Sequence, residues 1–272
     1  MRKIAQRATR TKGHLLAASL MLGLSLGGCR GPRLTLVPSG PQLLSVQGQV
    51  AGGPFALGRA DLSRLPRAAF EAVDPAAGRR ARFEGVPLGP LLTDRIERRP
   101  GADTAVFETS DGLRLALPVA ALEAQRALLA DRIDGGEATL QLAWPNLEQP
   151  GLDRDPRGEL RWAHQIVSIE LIRWEASWGP ALAAPLGASD AARRGAGQLL
   201  LRCAPCHAVA GVGGRRGPPL DGAPARLGPV RFEAAVRDHP GWSDRVGPEL
   251  TPDGEVLAEL QAFLAAAPHA AR

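Results

Sequence analysis

Two cysteines three positions apart, with a histidine directly after the second, constrain this chain more than any other feature: Cys203-Ala204-Pro205-Cys206-His207. C-x-x-C-H is the attachment signature of c-type haem. The two thiols add to the haem vinyl groups as thioethers, and the neighbouring imidazole swings beneath the ring to ligate the iron. Three other chemistries use closely spaced cysteines: a thioredoxin-like redox pair, half of a zinc site, and a disulfide. A zinc site lacks its second half, because the only further cysteine is Cys29. A redox pair expects a βαβ surround, which the flanking sequence does not show. The motif therefore predicts one covalent haem c, with Cys203 and Cys206 as thioethers and His207 as the proximal ligand.

The start of the chain has a different character. Arg2, Lys3, Arg7, Arg10 and Lys12 precede an apolar stretch from Leu15 to Leu26, the pattern of a secretory signal and too short for a comfortable membrane span. It closes on Leu26-Gly27-Gly28-Cys29, which resembles the bacterial lipobox. The resemblance implies cleavage after residue 28 and acylation of Cys29. The expected location is the cell envelope, lipid-anchored on the periplasmic side, with inner and outer membrane both open. Losing residues 1–28 removes five basic groups and no acidic one, leaving 28 of each sign. The basic excess thus belongs to the signal, and nucleic acid is not an expected partner.

The remaining length suits two domains of roughly 130 and 80 residues. Residues 29–42 read as a Pro/Gly-containing tether. Over 43–175 short β runs alternate with turns: Leu44 to Val50, then Thr104 to Thr109 and Leu113 to Leu117 around Ser110-Asp111-Gly112, then Gln165 to Ile172. Val119 to Ala130 reads as a helix. This part is predicted to be mixed α/β and β-rich. Residues 176–189 are small, uncharged and Pro/Gly-bearing, as in an interdomain linker. Beyond it Ser189 is placed to cap a helix over Asp190 to Arg202, and Thr251-Pro252-Asp253 opens a second with apolar Val256, Leu257, Leu260, Phe263 and Leu264 at helical spacing.

Residues 190–268 resemble the class I cytochrome c domain. The likeness rests on Gly195, the CAPCH motif, Gly217-Pro218-Pro219-Leu220, and Leu250-Thr251-Pro252 with Ala262-Phe263-Leu264. It implies an all-α domain whose first and last helices cross at Gly195 and Phe263, and a Pro218 that places the carbonyl orienting the His207 ring N–H. That family also implies a methionine second ligand, and here the chain departs. Asp244 to Leu250 holds none, and Met1 and Met21 both lie in the signal. His239, on the segment before that stretch, is the leading replacement; His164, His269 and an open or water-bound position stay beside it.

Residues 43–175 resemble the molybdopterin-binding domain of the sulfite-oxidase type. The matching pieces are Val46 to Val50, Leu62 to Pro66, Gly85 to Leu92, Thr109 to Gly112 and His164 to Ile172. The family's molybdenum-binding cysteine would fall between Leu65 and Gly85, where this chain has none. Molybdopterin is therefore a possible but non-catalytic occupant, with Arg79, Arg80 and Arg82 as candidate contacts to its phosphate. The expected function is electron transfer to or from a partner oxidoreductase of the cell envelope. The alternatives are a molybdopterin-dependent oxidoreductase with the haem as electron outlet, and a haem sensor with an open axial site.

Overall fold

Five of the six side chains of Thr104-Ala105-Val106-Phe107-Glu108-Thr109 are buried. Successive strand residues point to opposite faces, so a strand buried this way must be covered on both sides. The computed structural model, which describes residues 38–155, 157–239 and 252–267, shows what covers each face. The sheet-forming part runs β1 (Gln42–Gly48), β2 (Phe55–Gly58), α1 (Arg59–Ser63), β3 (Ala68–Asp74), β4 (Arg79–Pro87), α2 (Leu88–Pro90), β5 (Thr104–Thr109), β6 (Arg114–Pro118), α3 (Val119–Ala124), β7 (Leu128–Ile133), β8 (Gly136–Ala143) and β9 (Ile166–Ile172).

These strands form a five-stranded sheet of order β2-β1-β9-β5-β6 and a four-stranded sheet of order β3-β4-β7-β8. All pairings are antiparallel except β1 with β9. One apolar cluster draws on both sheets: Leu44, Phe107, Leu115 and Leu171 from the first, with Phe70, Phe83, Leu129 and Leu142 from the second. This part is mixed α/β and β-rich, as its short alternating runs predict.

The opposite face of the five-stranded sheet carries Val106 and Ile172, which belong to a second apolar cluster. That cluster is completed by later elements: α4 (Trp178–Leu182), α5 (Asp190–Arg202), the two-residue strands β10 (Ala208–Val209) and β11 (Val212–Gly213), α6 (Ala223–Leu227), α7 (Pro229–Arg237) and α8 (Gly254–Ala266). Leu199 of α5, Phe232 of α7 and Leu260, Phe263 and Leu264 of α8 meet Val106, Ile172, Trp178 and Leu182 in it.

Helix ends follow local chemistry. Ser189 Oγ accepts from the Ala192 N–H at 3.2 Å, and Asp253 accepts from the Val256 N–H at 2.9 Å, each satisfying an orphan donor of a first turn. α5 and α8 then cross at Gly195, where a methyl would collide with the Glu259 carbonyl and the Phe263 side chain.

Three expectations change. The helix expected over Val119 to Ala130 stops at Ala124; Arg126 takes a left-handed φ of 54°, and Leu128 to Ile133 join the four-stranded sheet instead. The apolar run Leu128-Leu129-Ala130 fits a strand buried on both faces as well as it fits a helix stripe, so tertiary pairing decided. The stretch expected as a linker holds α4, with Trp178 and Leu182 buried at 4% exposure each. The helical part, expected to be all-α, contains the β10–β11 ladder. The segment expected to be a signal, Cys29, His269 and the Asp244 to Leu250 stretch lie outside the described residues. Among the described residues no helix is long and apolar enough to cross a membrane.

Candidate functional site

The Cys-x-x-Cys-His turn closes the C-terminal end of α5. Cys203 is the capping residue and donates its N–H to the Leu199 carbonyl at 2.9 Å. The N–H groups of Cys206 and His207 both donate to the Cys203 carbonyl, at 3.0 and 2.8 Å, which winds the pentapeptide into one tight turn. Neither cysteine is joined in a disulfide. The placement bears on chemistry, because reactive thiols are activated at helix N-termini, where the helix dipole favours a thiolate. Here the dipole opposes it. Burial, with Cys206 adding to it, pushes the Cys203 thiol up to about 12, the reverse of an activated redox cysteine.

Glycines cradle the turn. A side chain at Gly214 would strike the Pro205 carbonyl, and one at Gly213 the carbonyls of Ala204 and His207. A methyl on Gly217 would enter the His207 ring itself. The Gly214 N–H donates to the Ala204 carbonyl at 2.8 Å, and the Gly217 N–H to the Cys206 carbonyl at 2.9 Å. The returning segment therefore packs on the turn and brings the Pro218 carbonyl to 2.8 Å from His207 Nδ1. With that nitrogen donating to Pro218, Nε2 is left with its lone pair.

His239, just past the end of α7, brings its ring to the same place. The His207 and His239 ring centroids are 5.6 Å apart, with the ring planes at 71°. Burial, reinforced by His207, holds the His239 imidazole below its usual 6.5, which favours the neutral form a ligand needs. Two imidazoles sharing one metal have centroids about 6 Å apart, given metal–nitrogen bonds of about 2 Å on each side. The two rings thus stand close together, and among the described residues no group of three or more His, Cys, Asp or Glu side chains gathers that could hold a metal ion. His164 is not part of this grouping: its Nδ1 sits 3.0 Å from Gln141 Oε1, and its Nε2 is 3.8 Å from Asp74, both within the sheet-forming part.

Residues that sequence reasoning missed join the turn to the five-stranded sheet. The Arg114 N–H donates to the Pro205 carbonyl, and the Arg215 N–H to the Gly112 carbonyl, both at 2.8 Å. Arg216 pairs with Asp111, and Arg215 with Glu108. Gly112, at φ 87°, leaves room for the Arg215–Arg216 backbone 3.2 Å from where its Cβ would be. The sequence signal was the run Gly213-Gly214-Arg215-Arg216-Gly217, which marks close backbone approach but names no partner.

Two of the three candidate contacts for a pterin, Arg79 and Arg80, are otherwise engaged. Arg79 pairs with Asp134 at 2.9 Å and Arg80 with Glu71, in exposed positions on β4. A cavity of about 210 Å³ beside Arg59, Arg67, Glu84, Asp131, Arg132 and Glu137 is internally neutralised: Arg67 binds Asp131 at 2.5 Å and Glu84 at 3.0 Å, and Arg59 lies 3.6 Å from Glu137. It is smaller than the usual cofactor pocket of roughly 300–1,000 Å³. Its three arginines and three carboxylates balance, which leaves no net positive charge to attract a phosphate. These residues do not fit an anionic pterin.

No family model matches the chain, and no curated protein matches it. Among solved structures, the sulfane dehydrogenase SoxCD from Paracoccus pantotrophus superposes on 48% of this chain and 38% of its own, with 15% identity and a TM-score of 0.37. The aligned part is thus under two-fifths of that protein's length.

Proposed function

We propose that the turn at 203–207 holds one covalent haem c and that the chain is an electron-transfer protein of the cell envelope, exchanging electrons with a partner oxidoreductase. The observation that carries this reading is the paired imidazoles: His207, oriented through Nδ1 by the Pro218 carbonyl, with the His239 ring 5.6 Å away. Bound there, the haem supplies a one-electron Fe(III)/Fe(II) couple. Cys203 and Cys206 would provide the thioether sulfurs, the Pro218 carbonyl would hold the tautomer of His207, and His239 would offer a second nitrogen ligand. Two nitrogen ligands in place of a nitrogen and a thioether lower the expected potential. The region 190–268 is then a class I cytochrome c domain with a small β ladder, and acylated Cys29 anchors it at the periplasmic side of a membrane. The sheet-forming part acts as a docking module: its charged cavity does not favour a molybdopterin-dependent oxidoreductase.

Optical spectra of oxidised and reduced protein, produced with c-type maturation, test the ligand set. The wild type is expected to be low-spin with one haem per chain, and His239→Ala to turn high-spin and bind CO. A high-spin wild type indifferent to that substitution would favour a sensor with an open axial site. Absence of covalent haem would end both readings.

A further inference from the structure

Arg216 lies beside the attachment turn. Its Nη1 lies 4.0 Å from Cys206 Sγ, a thiol that stands in for the thioether of the loaded protein, and its Nη2 pairs with Asp111. Asp111 comes from the β5–β6 hairpin of the sheet-forming part, 105 residues away in sequence. The carboxylate is itself well built. Its Oδ1 accepts from the Thr109 hydroxyl at 2.6 Å, and the opposing effect of burial is outweighed by Thr109, Arg216 and the Leu113 N–H, which hold it below the usual carboxylate range.

The surrounding charges are balanced. Arg215 pairs with Glu108, and Arg114, 14% exposed, sits between Glu108 and Glu170. Three arginines thus face three carboxylates along one seam. Removing any single member leaves one uncompensated charge, and because the Asp111 side chain is 49% exposed, solvent and salt screen part of its effect. The Arg216 side chain is 29% exposed.

We propose that Arg216 and Asp111 tune the reduction potential of the haem held through Cys206 in opposite directions, each offsetting the other, which makes the hairpin of the sheet-forming part an electrostatic regulator of the redox centre. This rests on the haem-attachment reading given above. The oxidised iron carries one more positive charge than the reduced iron. A guanidinium beside the thioether disfavours the oxidised form and raises the potential, and the carboxylate paired with it does the opposite. Neither residue ligates the iron; both act through the field.

The test uses full-length, haem-loaded protein in spectroelectrochemical titrations, after mass spectrometry has confirmed one covalent haem per chain. Arg216→Gln is expected to shift the midpoint to lower potential, Asp111→Asn to higher potential, and the double substitution to return it close to wild type. Arg216→Lys keeps the charge and is expected to leave the midpoint near wild type, which separates charge from packing should Arg216→Gln mature poorly. Shifts of the same sign for Arg216→Gln and Asp111→Asn, or none, would overturn the proposal. A wild type without covalent haem would sink the haem reading instead, before any potential is measured.

Discussion

At Gly217 the His207 ring occupies the space a methyl would need. Gly217→Ala is therefore expected to move the imidazole off the Pro218 carbonyl, lower the fraction of chains that acquire covalent haem, and destabilise the fold by about 1–3 kcal/mol, the usual cost of overpacking. Haem stain normalised to total protein reads the first effect, and urea unfolding the second. Gly195→Ala meets the Glu259 carbonyl and Phe263 in the same way, but away from the turn. It should cost about the same stability while leaving the haem spectrum unchanged. The meeting of Gly195 with Phe263 and the orienting carbonyl of Pro218 were legible in the sequence through its resemblance to a known domain. The close approaches of Gly213 and Gly214, and the partner of Arg216, were not, because a glycine declares that something comes near without declaring what.

Among the elements, the cap at Ser189 is the most local feature and was read correctly. Ser189→Ala removes the acceptor of the Ala192 N–H and is expected to cost about 1 kcal/mol, measured as a lower urea midpoint with an unchanged m-value. At α1, Asp61 accepts from the N–H groups of Gly58 and Ser39 at 2.8 and 2.9 Å. Those bonds, Gly58 foremost, hold its carboxyl below the usual 3.8. A folded-state value under the unfolded one means stability that is complete above about pH 4 and is lost as the pH falls through the folded value. Urea midpoints taken from pH 6 down to pH 2 should therefore fall less steeply for Asp61→Asn than for wild type. The helix expected over Val119 to Ala130 failed at this scale, since Leu128-Leu129-Ala130 suits a helix stripe and a twice-buried strand equally, and β4 and β8 on either side settled it.

In the molecule as a whole, the five-stranded sheet serves two cores. Phe107 faces the inter-sheet cluster, while its neighbour Val106 faces the helices. Trp178, 4% exposed, joins the second cluster and lies 5.2 Å from the Arg114 guanidinium that caps the charged end of the same face. Trp178→Ala is expected to cost about 3–5 kcal/mol, as large aromatic truncations in cores do. It should also loosen the contact between the hairpin and the 203–207 turn, read as faster amide exchange at Arg114 and Arg215. Because Val106 and Ile172 are part of the helical cluster, hydrogen exchange across α5 and α8 should speed up in the same variant.

What the sequence by itself determined is what depends on residues within a few positions of one another, or on inventory alone. That includes the Cys-x-x-Cys-His motif, the absence of methionine and lysine beyond residue 28, the cap at Ser189, and the Asp111-Gly112 hairpin. The meeting of His239 with His207, and of Asp111 and Glu108 with Arg216 and Arg215, only the tertiary structure decided. Alternation along a strand announces that a face will be buried, yet any apolar or charge-complementary surface can bury it. The choice among such surfaces is made by long-range packing, which no local pattern encodes.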